Sequence, residues 1–529
     1  MAHDYDVAIV GGGFAGVYML HRLRELGLSA RVFEAGSGIG GTWFWNRYPG
    51  ARCDIESLEY SYQFSDELQQ QWHWTERYAT QPEILRYVNH VADRFELWDG
   101  IQLNTRVQAA TYRDEDNGWL VETSSGGVSA RFCVMATGCL SSTNLPDFKG
   151  LDSFAGDWHH TGAWPHEGVD FTGKKVGVVG TGSSAIQSIP IIAEQAEQLY
   201  VFQRTPNFSV PAHNGPLDPE KEEMVKGDYQ HFRDEARKLV FGAHFRNRDE
   251  LADEATPEEL QREYDERWAY GGLPFLGAFG DLLYSRDANA TAADYIRDKI
   301  HHAVEDSETA ELLSPDSIVG CKRLCVDTNY YETYNRPNVT LVNVCDNPIA
   351  EILPAGLATT DGQTYELDAI VFATGFDAMT GALHKVDIRG KSGLSLKEKW
   401  ADGPRTYLGL ATADFPNLFI VTGPGSPSVL SNMLPSIEQH VVWISDCIDY
   451  MSKNHLQAIE PTVQAEDEWV SHVNEVAGET LYPSCNSWYL GANVPGKPRV
   501  FMPYLGFPPY VAKCDEVAAK GYEGFAFAN

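Results

Sequence analysis

At 529 residues the chain exceeds what one hydrophobic core usually supports, so two or three domains are expected. Its composition, 43% hydrophobic and 22% charged, is globular, and no apolar run reaches membrane-spanning length. The formal net charge of −33 disfavours nucleic acid and anionic membranes as partners, and any dinucleotide site would need locally concentrated positive charge.

The first predicted element is a buried strand, Asp6-Val7-Ala8-Ile9-Val10, running into Gly11-Gly12-Gly13-Phe14-Ala15-Gly16 and a helix with Val17, Leu20, Leu23 and Leu26 on one face. This is a G-x-G-x-x-G fingerprint in its proper setting. Gly11 permits the tight turn, Gly13 lets backbone approach a pyrophosphate, and Gly16 lets helix and strand pack closely. The helix N-terminus then faces the phosphates. Arg31-Val32-Phe33-Glu34 reads as the second strand, with Glu34 placed to bind ribose hydroxyls. A strand at Phe132–Ala136 follows, ending in Ala136-Thr137-Gly138.

The pattern recurs at Val176–Val179, followed by Gly180-Thr181-Gly182-Ser183-Ser184-Ala185. Ala185 replaces the third glycine, which the fingerprint allows. Here the second strand, Leu199–Phe202, ends in Gln203-Arg204-Thr205: an arginine stands where the first unit has an acid. A carboxylate would repel a ribose 2′-phosphate, whereas a guanidinium binds it bidentately. The first site is therefore assigned to FAD and the second to NADPH, with Arg204 as the 2′-phosphate ligand.

From about 215 to 310 the strand signal fades. Helix starts are expected at Thr256-Pro257 and at Thr291 with Asp294, so this zone reads as a helical insertion. Strands return at Val339–Val344 and at Ala369–Ala373, the latter ending in a second Ala-Thr-Gly, Ala373–Gly375. The fold class is α/β: two Rossmann-like dinucleotide-binding domains with a helical insertion.

The nine cysteines form no C-x-x-C motif, which weighs against a disulfide reductase. Reduced thiols in a monomeric cytoplasmic protein are expected, and Met1–Asp4 lacks the basic region of a signal peptide. The acidity fits a well-solvated surface, with adaptation to a saline habitat as the sharper alternative.

Between the two fingerprints lies Phe154-Ala155-Gly156-Asp157-Trp158-His159-His160-Thr161-Gly162-Ala163-Trp164-Pro165. It resembles the Baeyer–Villiger monooxygenase motif F-x-G-x-x-x-H-x-x-x-W-P at Phe154, Gly156, His160, Trp164 and Pro165. A second stretch, Gly41-Thr42-Trp43 through Tyr48-Pro49-Gly50 to Asp54, is similar to that family's G-x-W-x-x-x-x-Y-P-G-x-x-x-D. The resemblance runs nearly end to end. It implies FAD and NADPH as cofactors, O2 and a small-molecule ketone as substrates, and an ester or lactone product formed through a peroxyflavin and a tetrahedral intermediate.

The resemblance also assigns roles. Arg323, in Gly320-Cys321-Lys322-Arg323-Leu324, matches the family's catalytic arginine, and Asp54 the carboxylate that holds it and contacts the nicotinamide amide of NADPH. Lys322 matches a second 2′-phosphate contact, and Trp43 falls in the FAD-side motif. Trp488 matches the mobile loop over NADP, and His160 and Trp164 an inter-domain coupling segment. Gly423–Asn432 resembles the longer active-site loop of the phenylacetone- and steroid-oxidising branch, with Phe279, Leu430, Met433 and Leu434 as pocket candidates. Residues 1–142 and 381–529 are expected to form the FAD domain, 150–210 and 319–380 the NADP domain, and 211–318 the insertion. A flavin N- or S-oxygenase and an NADPH-sensing binding protein that retains FAD are the rival readings.

Overall fold

A computed structural model describes residues 3–528. The first apolar segment forms β1 (Tyr5–Val10), and Gly11, at φ +108°, turns the chain into α1 (Phe14–Glu25). β1 lies between β2 (Ala30–Phe33) and β6 (Gly126–Met135), parallel to both, and β2 pairs with β3 (Ile101–Gln102). An antiparallel run of β4 (Val107–Arg113) and β5 (Gly118–Thr123) continues from β6.

The second Rossmann unit is built on a parallel sheet. β7 (Asp157–His160) lies at one edge. β8 (Lys175–Val179) leads through Gly180, at φ +110°, into α2 (Ser183–Gln195) and then β9 (Gln198–Gln203). β10 (Val339–Asn343) pairs with β9, and β11 (Ala369–Phe372) sits between β7 and β8. The chain then returns to the first sheet, where β12 (Asp387–Arg389) pairs with β4 and β13 (Leu418–Ile420) with the C-terminal half of β6.

Between the second unit's strands the chain makes helices at Pro219–Gly227, Tyr229–Arg237, Pro257–Tyr270, Arg286–Ala303 and Ser307–Leu313. Thr256 caps its helix with the expected reciprocal box to Glu259. The expected start at Thr291 is corrected: Ser285 is the cap, and Thr291 lies inside the helix, its hydroxyl bonded to the Ala288 carbonyl. Asp287 supplies the first-turn acid, so the Thr291/Asp294 spacing occurs without a helix end.

The entry and exit of this excursion are zipped together, because Ser209–Pro211 pairs in parallel with Cys325–Asp327. That ladder places Arg323 two residues before its first rung. No helix among the described residues is long and apolar enough to cross a membrane.

Candidate active site

Both glycine turns end at helices without a side-chain cap. Gly13 and Gly182 are the N-caps of α1 and α2, and neither helix has an acid in its first turn. Ser285, Asn432 and Thr462 cap three other long helices. The first-turn N–H groups of α1 and α2 are thus left for a ligand, and an anion fits them. A Cβ on Gly11 would lie 2.6 Å from the Ala136 carbonyl oxygen, and one on Gly180 2.6 Å from that of Ala373. Each Ala-Thr-Gly end therefore packs on the first glycine of its own fingerprint.

Glu34 is buried, its two oxygens each accepting a backbone N–H at 2.6 Å, from Gly12 and Gly36. A carboxylate has lone pairs to spare beyond these two bonds. Trp43 is buried and donates from Nε1 to the Tyr60 hydroxyl at 3.0 Å. At the second turn Ala185 is fully buried, Thr181 Oγ1 donates to the Thr205 carbonyl at 2.9 Å, and the Ser183 hydroxyl lies 3.4 Å from Cys325 Sγ. Arg204 is exposed. Burial lowers the Lys322 pKa, and the positive charge of Arg204 lowers it further. Among the described residues neither cation has a carboxylate partner, in a chain of net charge −33. These two neighbouring cations, without a carboxylate partner among the described residues, make this spot locally positive.

The Tyr48-Pro49-Gly50 stretch forms the seam between the two units. Tyr48 Oη donates to Gln187 Oε1 on α2 at 2.9 Å, Gln187 Nε2 donates back to the Arg52 carbonyl, and a side chain on Gly50 would overlap the Gln187 carbonyl. The Trp164 amide donates to the Trp45 carbonyl at 3.3 Å. His160 is buried: Nδ1 accepts from the Gly162 amide at 3.0 Å, and Nε2 lies 3.3 Å from Thr374 Oγ1 in the second Ala-Thr-Gly. Burial pushes its pKa down to about 4, which leaves it neutral near pH 7.

Across this seam Arg323 meets Asp54, 269 residues away. Nε donates to Oδ2 at 2.9 Å and Nη2 to Oδ1 at 3.0 Å, a bidentate pair, while Nη1 donates to the Val429 carbonyl at 2.9 Å. The Arg323 side chain is 21% exposed and that of Asp54 28%. Burial works against the guanidinium's charge, but Asp54 outweighs it and holds the pKa above its ordinary value. Of the five N–H donors on a guanidinium, three are engaged and two remain for a ligand.

Val429 belongs to the 3-10 turn Ser428–Leu430, so the Gly423–Asn432 loop touches Arg323 through this carbonyl, with Leu430 the next residue along. Met433 and Leu434 open the helix Met433–Lys453, Leu434 fully buried. Phe279 packs edge-to-face on Tyr264 inside the insertion. Trp488 stands in the turn Trp488–Leu490, its ring 4.2 Å from that of Tyr489. Residues beyond it reach the second Ala-Thr-Gly end: Asn493 Nδ2 donates to the Phe376 carbonyl at 2.7 Å, and Lys497 pairs with Asp377.

Sequence reasoning missed three participants. The Val429 carbonyl carries no side-chain signal. Tyr489, buried close enough to Arg323 to feel its charge, could have been suspected only from its place beside Trp488. The expectation that every cysteine is a reduced thiol is corrected, because Cys321 and Cys485 form a disulfide. They lie 164 residues apart, so no local motif announces them; folding brings their Cα atoms to 5.7 Å.

Comparison with known proteins gives the family. A family profile described as pyridine nucleotide-disulphide oxidoreductase matches residues 8–260. A Baeyer–Villiger monooxygenase of Pseudooceanicola batsensis is 43% identical over 98% of this chain and 95% of its own length. The phenazine N-monooxygenase of Lysobacter antibioticus is 42% identical over 98% of this chain and 96% of its own. A solved steroid monooxygenase bound to NADP superposes with a TM-score of 0.95 at 53% identity, covering 99% of each chain. The chain belongs to the Baeyer–Villiger monooxygenase family of FAD- and NADP-dependent flavoproteins.

Proposed function

We propose that this chain oxidises ketones to esters or lactones with NADPH and O2, and that Arg323 is the group that makes the oxygen insertion possible. When bound, FAD and NADPH supply the electrons and the activation of oxygen. Gly11, Gly13, Gly16, Glu34 and Trp43 hold the flavin; Gly180, Gly182, Ser183, Ala185, Thr205, Arg204 and Lys322 hold NADPH. Trp488 covers the nicotinamide half.

The observation that carries this reading is the Arg323–Asp54 pair with two guanidinium donors uncommitted. Negative charge gathers on oxygen as a ketone carbonyl is attacked, and a fixed cation in a water-poor site stabilises it. Arginine suits the position because it stays charged when partly buried. Asp54 offsets the cost of burying the guanidinium and fixes its plane, and the Val429 carbonyl fixes its third edge. Leu430 and the partly exposed Met433 line the ketone pocket, whereas Leu434, fully buried, and Phe279, packed on Tyr264, sit behind its wall. His160 is neutral and engaged at both ring nitrogens within the NADP domain, so it transfers no proton; the coupling role is the one the resemblance implies. The domain limits are those expected above, and the protein works as a cytoplasmic monomer.

The phenazine N-monooxygenase among the relatives supports a second reading, oxygenation at nitrogen. A panel of cyclic, aryl and steroid ketones beside aromatic amines, with NADPH and isotopically labelled O2, decides between them. Label in an ester is the expected result; N-oxide as the sole product overturns it.

A further inference from the structure

The disulfide joins the segment that carries Arg323 to the segment that carries Trp488. Cys321 lies two residues before Arg323, and Cys485 three before Trp488. The Trp488 segment is fastened noncovalently at its far side, through Asn493 to Phe376 and Lys497 to Asp377. At its near side the fastening is covalent. Both cysteines are buried, at 6% and 9% exposure, between the turn Tyr482–Ser484 and the loop Gly320–Leu324. A soluble thiol reaches the bond only when this seam opens.

We propose that Cys321–Cys485 is a reversible redox lock on the Trp488 loop, a modification site whose co-reactant is a dithiol reductant. This rests on reading Trp488 as the cover over NADP. In the reducing direction one reductant thiolate attacks Cys485 Sγ, and Cys321 leaves as a thiolate and takes a proton. The second reductant thiol then displaces Cys485, so two electrons and two protons pass to the protein and the reductant leaves as its cyclic disulfide. A reducing compartment keeps the pair as thiols and the loop free. In the reverse exchange the cyclic disulfide of that reductant is the oxidant: it takes back the two electrons and two protons, Cys321–Cys485 re-forms, the loop is pinned against the arginine segment, and release of NADP+ slows.

Two measurements on the FAD-loaded full chain test this. Denatured without reductant, the oxidised protein alkylates at seven cysteines, and after dithiothreitol at nine, with Cys321 and Cys485 as the gained sites by peptide mass spectrometry. Nine sites before reduction overturn the bond itself. By stopped flow, NADP+ dissociation from the oxidised form is about fivefold or more slower than from the reduced form, the lower end of ordinary coupling between sites. Cys485→Ser and Cys321→Ser both show the fast rate with and without dithiothreitol. Equal rates in the bridged and reduced wild type overturn the lock. Trp488→Ala is a separate control: unchanged NADP+ affinity there overturns the reading of the loop, whatever the cysteines do.

Discussion

At the first glycine turn, a methyl on Gly16 would overlap the Gly11 carbonyl oxygen; at the second, Ala185 occupies the matching place with its methyl fully buried. The acid that follows the first turn is drawn inward and hydrogen-bonded to Gly12 of that turn and to Gly36 just beyond its own strand. The arginine that follows the second turn stands exposed beside Lys322, without a carboxylate partner among the described residues. One fingerprint thus yields two kinds of site. The first is tight and internally braced, which suits a cofactor that stays. The second is looser and open, with charge held in reserve for a ligand that arrives bearing a phosphate and then departs.

Four experiments break or sharpen that contrast. The largest effect is expected from Gly16→Ala, which should yield no flavin-loaded protein, whereas Ala185→Gly should cost only about 1 kcal/mol in a helix and keep NADPH binding. Flavin absorbance and thermal unfolding read both; flavin retained in Gly16→Ala would dissolve the distinction.

Next, Arg323→Ala should cut ester formation by about 10²–10³-fold, the scale for losing one charge-stabilising donor. Flavin reduction by NADPH should persist, since the phosphate contacts are elsewhere. Rapid-mixing absorbance separates the two half-reactions, and a normal ester yield would remove Arg323 from its role.

Third, Arg204→Ala should raise the KM for NADPH by about 10–100-fold, the worth of a charge-assisted hydrogen bond, and leave that for NADH nearly unchanged. Equal losses with both would show that the second site reads no 2′-phosphate.

The smallest effect concerns the segment between the sites. His160→Gln should keep ester formation within about tenfold of wild type, whereas a lost general base would cost about 10²–10⁴-fold. His160 has a native pKa of about 4. As pH falls from about 6.5 toward 4 the unfolded chain takes up a proton that the native one refuses, so stability is lost in that window and is complete above it. The variant should lack this loss, at most about 3 kcal/mol, when thermal unfolding of the two proteins is compared across that range.

Much of the fold was legible because its signals are local. A glycine turn, the strand before it and the helix after it satisfy one another within some thirty residues, so both Rossmann units appear where spacing puts them. Thr291 shows the limit, since a capping pattern occurs there inside a helix whose true start is Ser285. Candidate roles for Arg323, Asp54 and Trp488 came from family resemblance, because no periodicity links positions so far apart.

The sequence by itself determined where the two glycine turns stand, and that an acid, Glu34, follows the first and an arginine, Arg204, the second. Only the tertiary structure decided that Arg323 faces Asp54, that the Val429 carbonyl completes its clamp, and that Cys321 is bonded to Cys485. The physical reason is range. Backbone turns and helix ends are satisfied by near neighbours, whereas a buried charge or a thiol takes whichever partner packing delivers from a distant part of the chain.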